Sequence, residues 1–307
     1  MLAVICPSNR PSCLASWWNA WREEFLAHDA KMYITWDDAT TWDEIDKVLG
    51  HDSWVISRRS SAIRSWGFLK AYWDGATHFI TLDDDCYPHT TDFVDQHLAA
   101  LNHTGGWLST ITGLRPRGMP SDVKARVVAV NHGLWTGVPD IDGATQLANP
   151  GPYSYGTPTQ YMPAGMYFPM SGMNLAFRRD VAPLMWFGLH GSGPGDLGWG
   201  YDRYDDIWAG IFAKRVMDHV GLTIRSGTPL VLHNRASDPV KNEQLERTGK
   251  SATEWLWRVV ADTKLWCPTP LDAYRNLASG MKLPNEQYWN YVREGMQTWA
   301  NLIERGV

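Results

Sequence analysis

Short apolar runs alternate with helical stripes through the first hundred residues. Leu2-Ala3-Val4-Ile5-Cys6 is uninterrupted and stops at Pro7, the pattern of a strand buried on both faces. Leu14, Trp18, Trp21 and Phe25 follow at i, i+4, i+7 and i+11, one face of a 3.6-residue period. Lys31 to Trp36 reads as a second strand running into Asp37-Asp38, and Ser53 to Ser57 as a third. Ser60 or Ser61 suits the cap of a helix whose stripe is Ala62, Trp66, Leu69 and Trp73. The run His78 to Leu82 predicts another strand, and Phe93, Val94, His97, Leu98 and Leu101 a helix stopped by Gly105-Gly106. Strands alternating with helices imply an α/β fold: a mostly parallel, open sheet of Rossmann-like type, flanked by helices.

Beyond this the pattern changes. From Gly113 to Gly172 the chain is rich in Gly, Pro and aromatic residues without regular spacing, which reads as an ordered loop region beside a site. Helical spacing returns near Tyr204, with Trp208, Ile211, Phe212, Val216 and Val220 apolar and Gly221 as the stop. Leu222 to Leu232 suits one or two strands, and from about Ser251 the chain reads as helical. The expected division is a sheet domain over residues 1–240 and a C-terminal helical extension over 241–307. That extension would pack on the sheet or on another subunit, a route to a homo-oligomer.

Composition narrows the function classes. At 307 residues, 44% hydrophobic and 20% charged, the chain has the balance of a soluble globular enzyme. Its 18 tryptophans mostly serve a core, with some available to stack on sugars or bases. A net charge of −5 argues against a large nucleic-acid footprint. The four cysteines are scattered without zinc-ligand spacing, which suits reduced thiols in a cytoplasm-like compartment. The amino terminus lacks the regions of a signal peptide, and no apolar run approaches the ~18 residues of a membrane span.

The chemistry concentrates in Asp83-Asp84-Asp85, directly after an apolar strand. Carboxylates this close repel one another unless a proton or cation intervenes. Along a strand, alternate side chains share a face, so Asp83 and Asp85 could hold one Mg²⁺ or Mn²⁺ with positions left for phosphate oxygens. Such a metal would neutralise the diphosphate of a nucleotide-sugar; an acidic turn without metal is the other reading of the triplet alone. Asn9/Arg10, Asp37/Asp38 and Arg58/Arg59 also fall just after predicted strands. Ligands of open α/β sheets bind at that rim.

Longer phrases sharpen the picture: ITLDDDCYP (80–88), VNHGLWTGVPDIDGATQL (130–147), FPMSGMNLAFRRD (168–180), RYDDIWAGIFAKRVMDHVGL (203–222) and, more weakly, LVLHNRASDP (230–239). In these the chain resembles the reversibly glycosylated polypeptides, which include UDP-arabinopyranose mutases, over roughly residues 1–240. The resemblance implies a glycosyltransferase A-type fold, a divalent metal (Mn²⁺ or Mg²⁺) and a UDP-sugar. It assigns the metal to Asp83, Asp85 and His233, with Asp84 close by. Asn9, Arg10, Asp37 and Arg64 match positions near the nucleotide in similar folds; salt bridging at a sheet rim is the alternative for each. Asp205 and Asp206 take an active-site role as sugar ligands or as a base, with His132, Trp135 and Asp140 or Asp142 around the sugar. Gly172-Met173-Asn174 would approach the donor sugar closely.

One departure matters. Plant members carry an arginine, between the GATQL-like and FPM-like phrases, that takes up the sugar reversibly. Residues 148–160 of this chain contain neither Arg nor Lys. The expected function is therefore metal-dependent transfer from a UDP-sugar, a pentose such as arabinose, to a separate acceptor; a modified nucleic-acid base is one candidate. The alternatives are pyranose–furanose interconversion of the UDP-sugar and a non-catalytic sugar-nucleotide-binding protein.

Overall fold

The computed structural model describes residues 1–105, 114–151, 153, 159–234 and 238–306. In chain order the elements are β1 (Leu2–Ser8), α1 (Pro11–Ala27), β2 (Lys31–Trp36), α2 (Ala39–Leu49), α3 (Arg64–Trp73), β3 (His78–Leu82), β4 (Cys86–Pro88), α4 (Phe93–Leu101) and β5 (Thr104–Gly105). There follow β6 (Arg126–Gly137), α5 (Gly143–Ala148), β7 (Gln160–Tyr161), β8 (Asn174–Arg178), α6 (Asp205–Val220), β9 (Leu222–His233), α7 (Pro239–Asp262), α8 (Pro270–Gly280) and α9 (Gln287–Arg305).

The strands form one sheet in the order β2-β1-β3-β8-β6-β9-β4, with β5 beside β6 and β7 beside β9. Strands β1, β2 and β3 are mutually parallel, and so are β6 and β9. Antiparallel β8 lies between β3 and β6, so both groups point the same way. This is the open, helix-flanked α/β sheet of the glycosyltransferase A-like class. The C-terminal ends of β1, β2, β3, β6 and β9 lie on one edge, and β8 begins there.

Strand periodicity sorts side chains to two layers. Ala3 and Ile5 join the larger core, while Leu2, Val4 and Cys6 face α1 and α4. In α1 the buried stripe is Trp17, Trp21 and Phe25, with Leu14 and Trp18 half-buried beside it, a small rotation from the predicted face. The C-terminal helices supply Tyr274, Trp289 and Trp299 to the larger core, alongside Trp66 and Trp186. They pack on the sheet domain.

Several elements differ from the sequence-based expectation. Residues 50–55 form a 3₁₀ turn rather than a strand and stand outside the sheet, entered through Gly50 at a φ of +59°. Val55 and Ile56 still bury, which explains the apolar signal. The region expected as loop contains β6, a 12-residue strand inside the sheet, whose Asn131, His132 and Gly133 interrupt its apolar run. Strand β8 was likewise not expected. Leu222–His233 is a single strand with a register break opposite Gly133/Leu134. Gly106, part of the predicted helix stop, and positions 152 and 154–158 of the arginine-free stretch lie outside the described residues.

Candidate active site

The strand ends open into a cleft of about 1020 Å³. Twelve Asp and Glu residues but only six Lys and Arg line it, so the cavity favours a cation or the protonated forms of its acids. Of the residues expected from sequence, Asn9, Arg10, Asp37, Arg64, Asp83, Asp84, Asp85, His132, Trp135, Asp140, Asp205, Asp206 and His233 all line this cleft.

Strand β3 ends at Leu82, and the aspartates occupy the turn to β4, closed by the Cys86 N–H donating to the Asp83 carbonyl at 3.1 Å. The triplet is therefore a turn rather than a strand end, and each carboxylate has a different environment. Asp84 is buried, accepting from the Ser8 hydroxyl at 2.6 Å and from the Arg10 guanidinium. Asp83 accepts from Arg64 Nη2 at 2.6 Å. Burial pushes its carboxyl up, but the Arg64 charge and hydrogen bond outweigh this and hold it below the usual range. Asp85 accepts from Arg10 Nη2 at 3.3 Å. Burial, followed by the neighbouring charge of Asp83, raises its carboxyl above the usual range.

The β4–β9 ladder brings Asp85 to His233: Cys86 pairs with His233, and the Asn234 N–H donates to the Asp85 carbonyl at 3.0 Å. His233 Nδ1 lies 2.8 Å from the Val138 carbonyl, which can only accept, so Nδ1 carries the proton. In the neutral ring Nε2 then presents a lone pair 3.8 Å from Asp85 Oδ1. Two acceptors facing each other in this way suit an intervening proton or hard cation, and a carbonyl holding the far ring nitrogen is a usual support for a metal-binding histidine. The residues thus fit a divalent ion in part. Among the described residues, however, no three His, Cys, Asp or Glu side chains form a group that could hold a metal. The expected set of Asp83, Asp85 and His233 is not assembled, because Asp83 is drawn to Arg64.

Arg64 follows the alternative expected for it, salt bridging at the sheet rim. It is 2% exposed and donates to the Ser61 carbonyl, the Thr81 hydroxyl and the Gly172 carbonyl as well as to Asp83. It ties together three chain segments at the cleft floor. Gly172 is needed there: a Cβ would come within 2.9 Å of Arg64 Nη1 and of the Phe187 ring. Asp37 accepts from the Arg59 N–H and Trp42 Nε1, both at 2.9 Å, and burial raises its carboxyl.

The other wall comes from the start of α6. Asp205 accepts from the Ser61 hydroxyl at 2.7 Å. Asp206 accepts from the N–H groups of Gly172 and Ile207, both at 2.8 Å. Burial first, then the charges of Asp205 and Asp140, push the Asp206 carboxyl well above the usual range, against a smaller opposing effect of the Gly172 N–H. A carboxyl of raised proton affinity is suited to take up a proton and return it.

His132 and Trp135 project from β6, ring centroids 5.8 Å apart and edge to face. His132 Nε2 accepts from the Ser171 N–H at 3.2 Å, so Nδ1 is protonated toward the Ser226 hydroxyl at 3.1 Å. Burial depresses its pKa to about 4. The expected catalytic use of His132 does not fit a neutral ring with both nitrogens engaged; it holds the 171–173 segment. Asn174 lies outside the cleft, fully buried, accepting from His97 at 2.9 Å and donating to the Leu134 and Pro229 carbonyls. Its amide spans the break between β6 and β9, and its burial away from the cleft keeps it from a sugar.

Sequence reasoning missed Ser171, Asp202 and Arg203, together with Lys241, Glu246, Lys250 and Glu254 on α7. The residues of α7 give no local signal: their helix reads as an exposed amphipathic one until its place over the cleft is known. Among the described residues, no helix is long and apolar enough to cross a membrane.

Comparison with known proteins gives the chain its relatives. Residues 28–305 match the family described as "Reversibly glycosylated polypeptide", so the match extends through the C-terminal helices rather than stopping near 240. The chain is 33% identical over 282 residues to a protein of Solanum tuberosum named "Probable UDP-arabinopyranose mutase 1", covering 83% of this chain and 74% of the relative. It is 32% identical over 279 residues to "UDP-arabinopyranose mutase 1" of Arabidopsis thaliana (83% and 76%). A protein of that same name in Oryza sativa subsp. japonica is 35% identical over 279 residues (83% and 74%).

Proposed function

Since the chain belongs to the reversibly glycosylated polypeptide family, we propose that it is an enzyme acting on a UDP-linked pentose and that it interconverts the pyranose and furanose forms of the sugar. The names of its relatives support this reading over transfer to a separate acceptor, the main expectation from sequence. A location in the cytoplasm accords with the four free cysteines.

The observation that carries the mechanism is Asp206, a carboxyl of raised proton affinity in the same cleft as the aspartate turn. Ring contraction needs no redox step. The sugar O4 attacks C1 as the C1–O bond to the β-phosphate breaks, and the O4 proton passes to Asp206. The β-phosphate oxygen then returns to C1, the C1–O5 bond breaks, and Asp206 gives the proton to O5. Every atom is retained, and one carboxyl acts as base and then as acid. Arg10 stabilises the departing diphosphate electrostatically, and Asp205, anchored by Ser61, keeps the proton affinity of Asp206 high. Asp85 and His233 are the side chains that would hold a divalent cation, which when bound supplies positive charge to the diphosphate.

Incubation with UDP-arabinopyranose and separation of the products tests this directly. UDP-arabinofuranose should appear without net release of UDP. Transfer is the second reading, favoured by the lack of Arg or Lys in residues 148–160. Free UDP accumulating faster with an added acceptor, and no furanose product, would establish it instead.

A further inference from the structure

Among the described residues, four of the six Lys and Arg side chains lining the cleft are committed to the protein's own carboxylates: Arg10 to Asp84, Arg59 to Asp196, Arg64 to Asp83 and Lys250 to Asp142. Arg203 and Lys241 remain, both exposed and neither with a carboxylate among the described residues at ion-pair distance. Arg203 stands just ahead of α6 and Lys241 in the first turn of α7. At helix N-termini the macrodipole disfavours a cation, so helix stability accounts for neither. The two act on one neighbour: burial pushes the Asp202 carboxyl up, and the charges of Arg203 and, less strongly, Lys241 oppose that rise.

The Arg203 backbone is left-handed, with φ at +62°, a conformation that non-glycine residues keep only where their surroundings over-determine it. On one side, segment 191–201 is closed by the Gly191 N–H donating to the Tyr201 carbonyl at 2.9 Å. Ser192 and Arg58 pin that segment through two exchanged backbone hydrogen bonds of 2.7 and 2.8 Å. On the other side, Tyr204 lies against the backbone of α7, where a Cβ on Gly249 would come within 2.5 Å of its ring. The Arg203 N–H donates to Asp202 Oδ1 at 2.8 Å. A fixed backbone, not an ion pair, therefore presents this guanidinium to the cleft.

We propose that Arg203 and Lys241 are the side chains that grip the diphosphate of the UDP-sugar directly. This rests on the substrate named in the proposed function and assigns the residues that meet its charge. The diphosphate is the only charged part of a UDP-linked pentose, so a cation that binds this ligand through charge binds it there. Arg10 acts on it from its place on Asp84, whereas direct hydrogen bonds come most readily from donors with no protein partner to leave. The guanidinium fork of Arg203 suits two phosphate oxygens at once, and Lys241 adds a compact point charge. Together they offset the repulsion between an anionic ligand and a cleft rich in carboxylates.

Binding of UDP to the full-length protein by calorimetry, set beside binding of uncharged uridine by ligand-observed NMR, tests this. Arg203→Asn keeps a residue that tolerates left-handed backbone and removes the charge; its UDP affinity should fall about 10–100-fold. Lys241→Gln, at an exposed position, should lose about 3–10-fold. Uridine should bind both variants as it binds wild type, and Arg203→Lys should recover part of the lost UDP affinity. Unchanged UDP affinity in either variant overturns the joint grip. An equal loss for UDP and uridine overturns it too, by making the residue a prop for the cleft wall. Wild type that binds no UDP defeats the proposed substrate itself, a pattern distinct from wild type and variants binding UDP alike.

Discussion

Asp206 carries an ordinary carboxyl into surroundings that oppose its charge, and two consequences follow. Asp206→Asn removes the proton carrier and should lower kcat by about 10²–10⁴-fold with a smaller effect on KM, measured as furanose formation. Stability should move the other way. A carboxyl whose folded-state proton affinity exceeds its unfolded value stabilises the fold below the unfolded pKa, and that contribution is lost as pH rises through the folded value. At neutral pH, above the unfolded value, burying this carboxyl is therefore a burden, and Asp206→Asn should melt higher than wild type; a lower melting temperature at pH 7 would count against this account. Arg64→Met is expected to do the reverse, destabilising by about 1–3 kcal/mol in denaturant titration by leaving half-buried Asp83 without its cation and the Ser61 and Gly172 carbonyls without their donor. At this scale the sequence revealed addresses more readily than partners. The aspartate turn, His233 and the Asp205-Asp206 pair all line the cleft, because each follows or opens a recognisable element. The roles of Arg64, His132 and Asn174 were not visible. Each depends on a bond to a residue at least 17 positions away, such as Arg64 to Thr81, His132 to Ser171 and Asn174 to His97.

Elements with a clean period were legible, and those whose period is broken by the site were not. The stripe of α3 and the Gly221 stop of α6, where φ is +78°, could be read directly. Strand β6 carries two buried polar residues, Asn131 and His132, and a glycine against which Asn174 packs, so function had erased its apolar signature. The glycines also report how tightly elements meet. A Cβ on Gly210 of α6 would lie 2.4 Å from Met170 Cβ and 2.6 Å from the Met170 backbone nitrogen. Backbone cannot step aside as a long side chain can. Gly210→Ala should thus cost about 1–3 kcal/mol, and by tilting α6 it should raise KM for the UDP-sugar as well. Loss of stability with unchanged kinetics would separate the helix contact from the site.

Among the described residues, three buried imidazoles spread across the molecule have pKa values depressed mainly by desolvation: His97 to about 3, His132 to about 4 and His190 to about 4. For a histidine depressed on folding, stability is present above the unfolded pKa of about 6.5 and is lost as pH falls toward the folded value. Melting temperature should therefore fall between about pH 6.5 and 4, and His190→Leu should flatten that fall. A slope unaltered in the variant would assign acid sensitivity to the carboxylates instead. The division expected near residue 240 followed a change in composition, from mixed strands and helices to helix alone. Composition does not report packing: Trp289 and Trp299 bury in the same core as Trp66 and Trp186, and α7 lines the cleft.

The reversed strand β8 has a consequence of its own. Its neighbours deliver to the cleft the residues that come after them, but β8 delivers those that come before, Ser171 to Met173. Insertions or exchanges in the segment ahead of β8 should therefore alter which sugar is accepted, whereas equal changes after Arg178 fall at the opposite pole of the sheet and should leave selectivity untouched. A search for specificity variants that diversified only the loops following the parallel strands β1, β2, β3, β6 and β9 would pass over this segment entirely.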